Sequence, residues 1–315
     1  ANVLEKYFLT GKRNIFAPGI FDGEVTLYRQ QIRALNLAYL LNHQADGKQL
    51  SVGIVGAGGC GLTLCGALLM LGHKTTLYER QADPMYLQKG CETRYLHPNS
   101  YAWPAFGADA PFSDLPFLQW RAASASNVSR QILEQFWKIA ALGRKLGRHT
   151  FRKRAFVLVN PADLTIDWQS LDETISDKRA GREAFDFIAL CIGFGIENEI
   201  DDDTRFSYWR NDSFNQIRAG SYAASRTEYW VSGAGDGGLV DVQRLTIRDY
   251  DQSRFIYDVW GNAQLSPEHT AQLRGLQKAT LNLGLGHPSA LYDGIEESNS
   301  VGAIRMLDSY LLANR

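Results

Sequence analysis

Hydrophobic and polar positions along the chain fall into runs of two periods. From Val25 to Asn42, the residues Leu27, Ile32, Leu35, Leu37, Leu40 and Leu41 recur at mostly helical spacing and predict an amphipathic helix packed on the domain. Ser51 to Val55 is a short apolar run, Leu62 to Leu71 reads as a helix, and Lys74 to Tyr78 is a second strand-like run ending at Glu79. Strand, helix, strand predicts a parallel sheet. From Gln81 to Asn127 the periodicity fails, and Pro84, Pro98, Pro104, Pro111 and Pro116 punctuate a stretch rich in Trp, Tyr and Phe. An irregular segment of that length inside a compact protein is more often functional than ornamental. Asn127 is placed to cap a helix through about Lys145 that carries Val128, Ile132, Leu133, Phe136, Ile139 and Leu142. Strands are expected at Thr150 to Val159, Leu164 to Trp168 and Phe185 to Ile192, with Asp172 to Arg182 as a hairpin or solvated loop. Later, the apolar run Tyr229 to Ser232 leads into a glycine-rich turn and a helix through Asp249. Phe255 to Trp260 reads as a strand, and Pro267 to Leu283 and Val301 to Asn314 read as helices.

Composition narrows the class. At 315 residues the chain can bury a substantial core. Its 33 basic and 34 acidic residues nearly cancel, so net charge favours neither nucleic acid nor an anionic membrane as the main ligand. A small-molecule substrate is the default. The cysteines Cys60, Cys65, Cys91 and Cys191 form no CxxC pair and no metal-ligand spacing, which predicts a reduced, cytoplasmic protein. The Leu62 to Leu71 run is far below the roughly 20 residues needed to span a bilayer. The carboxylates between Glu197 and Asp203 are expected to be a solvated turn, so no metal site is assigned.

Chemistry concentrates at two glycine turns. The first reads Gly56, Ala57, Gly58, Gly59, Cys60, Gly61 between the first strand and its helix, with Glu79 ending the next strand. The first glycine permits the tight turn, the second lets the backbone approach a pyrophosphate, and the third brings helix and strand together. Free N–H groups at the helix N-terminus then meet the phosphates, and Glu79 is placed to accept from the adenosine ribose hydroxyls. Residues 51–80, ending in Glu79 and Arg80, resemble the FAD-binding fingerprint of the two-dinucleotide-binding-domain flavoproteins. The strand from Phe185 into the turn at Gly193 resembles the one that closes the FAD domain in that family. The helix after residue 127 and the strands before Gly193 fall in the family's order. The fold class expected is therefore α/β: a Rossmann-like FAD-binding domain with a parallel sheet, plus a second, partial nucleotide-binding-like α/β region. The boundaries expected are an N-terminal helical extension at 1–49, an FAD-binding domain at 50–225 with an aromatic and proline-rich insertion at 81–126, and the second region at 226–315. The amine-oxidase Gly-Gly signature after the acid is missing, and the lack of a CxxC excludes disulfide-reductase chemistry.

The second turn, Gly233, Ala234, Gly235, Asp236, Gly237, Gly238, resembles the nicotinamide-nucleotide motif of thioredoxin-reductase-like and flavin-monooxygenase-like proteins, which implies NAD(P)H as reductant. The competing reading makes Gly235 and Asp236 the family's Gly-Asp element, with the aspartate on the flavin's ribityl or phosphate region. About eighty residues follow, short for a full nicotinamide domain, so either an abbreviated plan, or a further segment, a homo-oligomer or another chain completing the flavin site, is expected. Between the two turns, Arg94 is a candidate bidentate donor to a phosphate or substrate carboxylate, and His97 a candidate proton shuttle. Tyr101, Trp103 and Trp120 are candidates to wall the flavin. These readings predict an FAD-dependent oxidoreductase of reductase or monooxygenase type. The alternatives are an amine or alcohol oxidase without a nicotinamide site, and a non-catalytic nucleotide-binding sensor or assembly subunit.

Overall fold

The computed structural model describes residues 8–9, 12–18, 25–100, 102, 107–172, 179–193, 208–209, 211, 229, 231, 236–247, 249–260, 267–268, 271 and 275. Two compact units are present, one made of Ala1–Pro98 with Phe112–Arg210 and the other of Asn99–Pro111 with Asn211–Arg315.

In the first unit the strands β1 (Phe8–Leu9) and β2 (Lys12–Phe16) precede the helix α1 (Leu27–Gln44). The expected strand-helix-strand follows as β3 (Ser51–Val55), α2 (Gly59–Met70) and β4 (Lys74–Tyr78). A small ribbon of β5 (Tyr95–Leu96) and β6 (Ala123–Ser124) leads into α3 (Ala125–Lys145). Then come β7 (His149–Arg152), β8 (Ala155–Asn160), β9 (Thr165–Ser170), β10 (Ala180–Ala184) and β11 (Phe187–Leu190). The main sheet has the order β1-β2-β11-β3-β4-β7, parallel throughout except for the antiparallel edge strand β1. β8, β9 and β10 form a separate antiparallel meander.

Strands buried on both faces explain the apolar runs. Val52 and Ile54 of β3 join a core with α1, α2 and α3, while Val55 packs with Ile15, Tyr78, Ile166, Phe185 and Ile188 on the meander side. Every residue of α2 from Gly59 to Leu69 is buried, as a helix apolar on all sides demands. Gln31 is fully buried on α1, where its side-chain N–H donates to Thr63 and to the Leu118 carbonyl while its oxygen accepts the Trp120 indole N–H at 2.7 Å. This triad pins the irregular segment to two helices. On the other face, Arg152 pairs with Glu183 at 2.5 Å and stacks 4.0 Å over Trp168, tying the main sheet to the meander.

In the first unit three expectations change. The stretch before residue 50, expected as a helical extension, also supplies β1 and β2, and β2 lies inside the parallel sheet. The single strand expected at Thr150 to Val159 is two strands in two sheets, because Arg154 adopts a left-handed backbone (φ 49) that turns the chain. Asn127 is not the cap of α3. Ser124 is, accepting the Asn127 backbone N–H at 3.3 Å. Ala180–Ala184, in and beside the stretch Asp172 to Arg182 expected as a hairpin or solvated loop, forms β10 antiparallel to β9, in keeping with the hairpin.

The second unit's described elements are α4 (Asp236–Thr246) and α5 (Gln252–Trp260). The strand expected at Phe255 to Trp260 is therefore helical. Asp251 begins it by accepting the Arg254 backbone N–H at 3.0 Å, and Arg254 pairs with Asp258 one turn on. A short apolar run is ambiguous between strand and helix, and here the cap decides. Most of the helix expected at Pro267 to Leu283, and all of that at Val301 to Asn314, lies outside the described residues. No helix among the described residues is long and apolar enough to cross a membrane.

Candidate functional site

Among its described strands the parallel sheet has one place where successive connections diverge. From β3 the chain proceeds to β4 and β7 on one side, whereas β11 returns on the other. Crevices at the carboxyl ends of strands flanking such a switch point are where α/β sheets bind ligands. The first glycine turn leaves β3 at this point, and Cys191 to Gly193 leave β11 beside it.

Each glycine of the turn has its own requirement. Gly56 has φ +101, and its N–H donates to the Tyr78 carbonyl at 2.8 Å. A Cβ there would overlap the Cys191 carbonyl. On Gly61 a Cβ would overlap the Gly56 carbonyl, and on Gly59 the Leu27 side chain of α1. Gly58 differs: nothing lies within 4 Å of where its Cβ would be, and its backbone (φ −80, ψ −172) is extended and open to any residue. Protein packing does not demand a glycine at that position.

Gly58 is also the N-cap of α2 and provides no side-chain cap. The first helical bond runs from the Leu62 N–H to the Gly58 carbonyl at 3.0 Å, so the N–H groups of Gly59, Cys60 and Gly61 precede the intrahelical ladder. With no acid in the first turn of the helix, they present partial positive charge to an incoming anion.

Glu79 closes the arrangement. Its carboxylate accepts the Ala57 N–H at 2.7 Å and the Gln81 N–H at 2.8 Å, one on each oxygen. Each oxygen keeps a further lone pair for a hydroxyl donor. The Glu79 backbone is fixed between β7 and β8, donating to Arg152 and accepting from Ala155. Next to it, Arg80, Gln81, Ala82, Tyr86, Arg154 and Leu171 line an open cavity of about 480 Å³.

Two thiols meet under the turn. Cys60, in the first turn of α2, and Cys191, just past β11, are both buried with their sulfurs 3.5 Å apart. The hydrogen bond with Cys60, then burial, pushes the Cys191 thiol well above its ordinary value. Cys191 and Gln81 were missed as contributors to this site. The approach of β11 to β3 was signalled by the apolar run into Gly193, whose φ is +73, but nothing local marks Cys191 or the Gln81 N–H.

Of the remaining candidates, some have described surroundings and others do not. Arg94 is buried, donates from Nε to the Tyr208 carbonyl at 3.0 Å and stacks 4.3 Å over the Tyr208 ring, so it holds a neighbouring segment of its own unit. His97 is buried beside β5. Trp120, expected against a flavin, is a core residue bonded to Gln31. Tyr101, Trp103, Gly233, Gly235 and the carboxylates at 197–203 lie outside the described residues. Asp236 is the first residue of α4, and Gly238 sits in that helix's first turn. No group of three or more potential metal ligands occurs among the described residues. Neither a protein-family model nor a curated protein matches the chain.

Proposed function

We propose that the turn from Gly56 to Gly61 binds the pyrophosphate of a dinucleotide, FAD by the resemblance, and that the protein is an FAD-dependent oxidoreductase acting on a small molecule. The observation that carries the reading is Gly58. Its Cβ is excluded by no protein atom, yet it stands beside N–H groups with no intrahelical acceptor. A pyrophosphate accounts for both. Gly59, Cys60 and Gly61 would bind phosphate oxygens through their N–H groups, and Glu79 would hold the ribose hydroxyls while disfavouring a 2′-phosphate. FAD, when bound, supplies the electron-transfer chemistry, and the protein orients it and shapes the access of substrate. NAD(P)H at the second glycine turn is the proposed reductant.

Titration of the purified protein with FAD tests this, read by quenching of flavin fluorescence and by visible absorbance of the desalted protein. Saturable binding is expected, with bleaching by NADH or NADPH under anaerobic conditions. A protein that stays colourless and leaves flavin fluorescence unchanged refutes the cofactor. One that binds FAD but is bleached by neither nucleotide refutes the reductant.

A further inference from the structure

We infer that Cys60 and Cys191 form a peroxide-sensitive dithiol which, on oxidation to a disulfide, switches the glycine turn from a binding to a weakly binding state. The sulfurs already touch at 3.5 Å, and the bond needs them at about 2.0 Å. They belong to the two elements that define the turn. Cys60 lies in the first turn of α2, and the Cys191 carbonyl is the wall against which Gly56 is packed. The other thiols are placed differently: Cys65 contacts Thr75 and His149 on the sheet, and Cys91 follows the chain past β4. Both thiols are buried, but the chain becomes exposed at Ile192, one residue past Cys191, and the space beside Gly58, two residues before Cys60, is open.

The chemistry balances with hydrogen peroxide as oxidant. The Cys60 sulfur, having released its proton, attacks a peroxide oxygen; the O–O bond breaks and the leaving hydroxide takes up that proton as water. The Cys191 sulfur then attacks the sulfenic sulfur of Cys60, the S–O bond breaks, and the leaving hydroxide takes the Cys191 thiol proton and departs as a second water as the S–S bond forms. The thiols give up two electrons and two hydrogens, and the peroxide accepts them. Closing the gap draws the second residue of α2 toward the end of β11 and turns the Cys60 N–H away from its aim. Loss of one charge-assisted N–H bond corresponds to roughly tenfold in affinity. This consequence for binding rests on the nucleotide reading above, whereas formation of the bond does not.

The test compares the full chain, reduced and after mild hydrogen peroxide, by peptide mapping and by FAD titration. The expected result is a linked Cys60–Cys191 peptide, a mass lower by two hydrogens, and roughly tenfold weaker FAD binding that dithiothreitol reverses. In Cys191→Ser the ratio of oxidised to reduced affinity should be one, while Cys91→Ser should keep the wild-type ratio. If FAD binds but no linked peptide forms, or if the peptide forms and affinity is the same in both states, the inference fails. A linked peptide in a protein that binds FAD in neither state removes the nucleotide reading and the switch with it, while the bond stands. Should Cys191→Ser not fold, the wild-type map and its reversal decide.

Discussion

The glycine turn makes a prediction in which stability and binding separate residue by residue. In Gly61→Ala the new methyl overlaps the Gly56 carbonyl, a backbone atom that cannot swing aside, so the first turn of α2 must lift from β3. Overpacking of that kind costs about 3 kcal/mol. Gly56→Ala adds an unfavourable φ of +101 to its overlap with the Cys191 carbonyl, so it should cost at least as much. Gly58→Ala meets no atom within 4 Å and needs no unusual backbone angle. The poorer N-cap and the stiffer unfolded chain oppose one another, leaving stability within about 0.5 kcal/mol of wild type. Binding should suffer instead. A methyl at Gly58 pushes the ligand out by about 1 Å, lengthening N–H···O contacts from about 2.9 Å beyond hydrogen-bond range. Two such bonds lost amount to about 3 kcal/mol, roughly a hundredfold in affinity. Urea denaturation and FAD titration of the three variants measure both axes. If Gly58→Ala binds FAD as wild type does, or if it unfolds as readily as Gly61→Ala, the assignment of Gly58 to a ligand is wrong.

Other substitutions follow from the same geometry. Glu79→Gln puts an amide N–H₂ against either the Ala57 or the Gln81 N–H and should weaken FAD binding by about 2 kcal/mol, roughly thirtyfold, in the same titration; an unchanged affinity argues against Glu79 as the ribose acceptor. Gln31→Leu strands the Trp120 indole N–H, the Thr63 hydroxyl and the Leu118 carbonyl in the core and should lower the unfolding free energy by about 3 kcal/mol, with a blunted near-UV dichroism of Trp120; a loss under about 1 kcal/mol contradicts the triad. His149 is buried, with Nδ1 3.0 Å from Thr75, and burial, reinforced by Arg144, lowers its pKa from 6.5 to about 4. The unfolded chain therefore binds its proton first, so stability is full above about pH 6.5 and falls toward pH 4, by about 2 kcal/mol after allowing for solvent screening. Denaturation of wild type and His149→Gln across that range should show a steeper acid loss in wild type, and parallel profiles would refute the assignment.

The central motif was legible because its constraints are local. The β3 run alternates between two buried faces, α2 is apolar all round, and a glycine turn with an acid after the next strand carries its own geometry. β2 was not legible, since its sequence Lys12-Arg-Asn-Ile-Phe16 looks polar at one end and its parallel partner is β11, far along the chain. The break between β7 and β8 carries no Gly or Pro; only a left-handed Arg154 marks it. Cys191 and Trp120 find their partners 131 and 89 residues away, so spacing along the chain held no sign of either contact.

The strand order sets a schedule for making the molecule. Among the described strands of the sheet β11 is the last to be synthesised, yet it lies between two of the earlier ones, β2 and β3. Until residue 190 is available, β3 keeps an open hydrogen-bonding edge and β2 has only β1 beside it. The Ile15–Ile188 pairing raises contact order, which slows folding and leaves that slot exposed to the wrong strand during translation. The same insertion seals the sheet once made: β11 bridges the two earlier strands like a keystone, and the crevice beside the glycine turn comes into being only when it is in place.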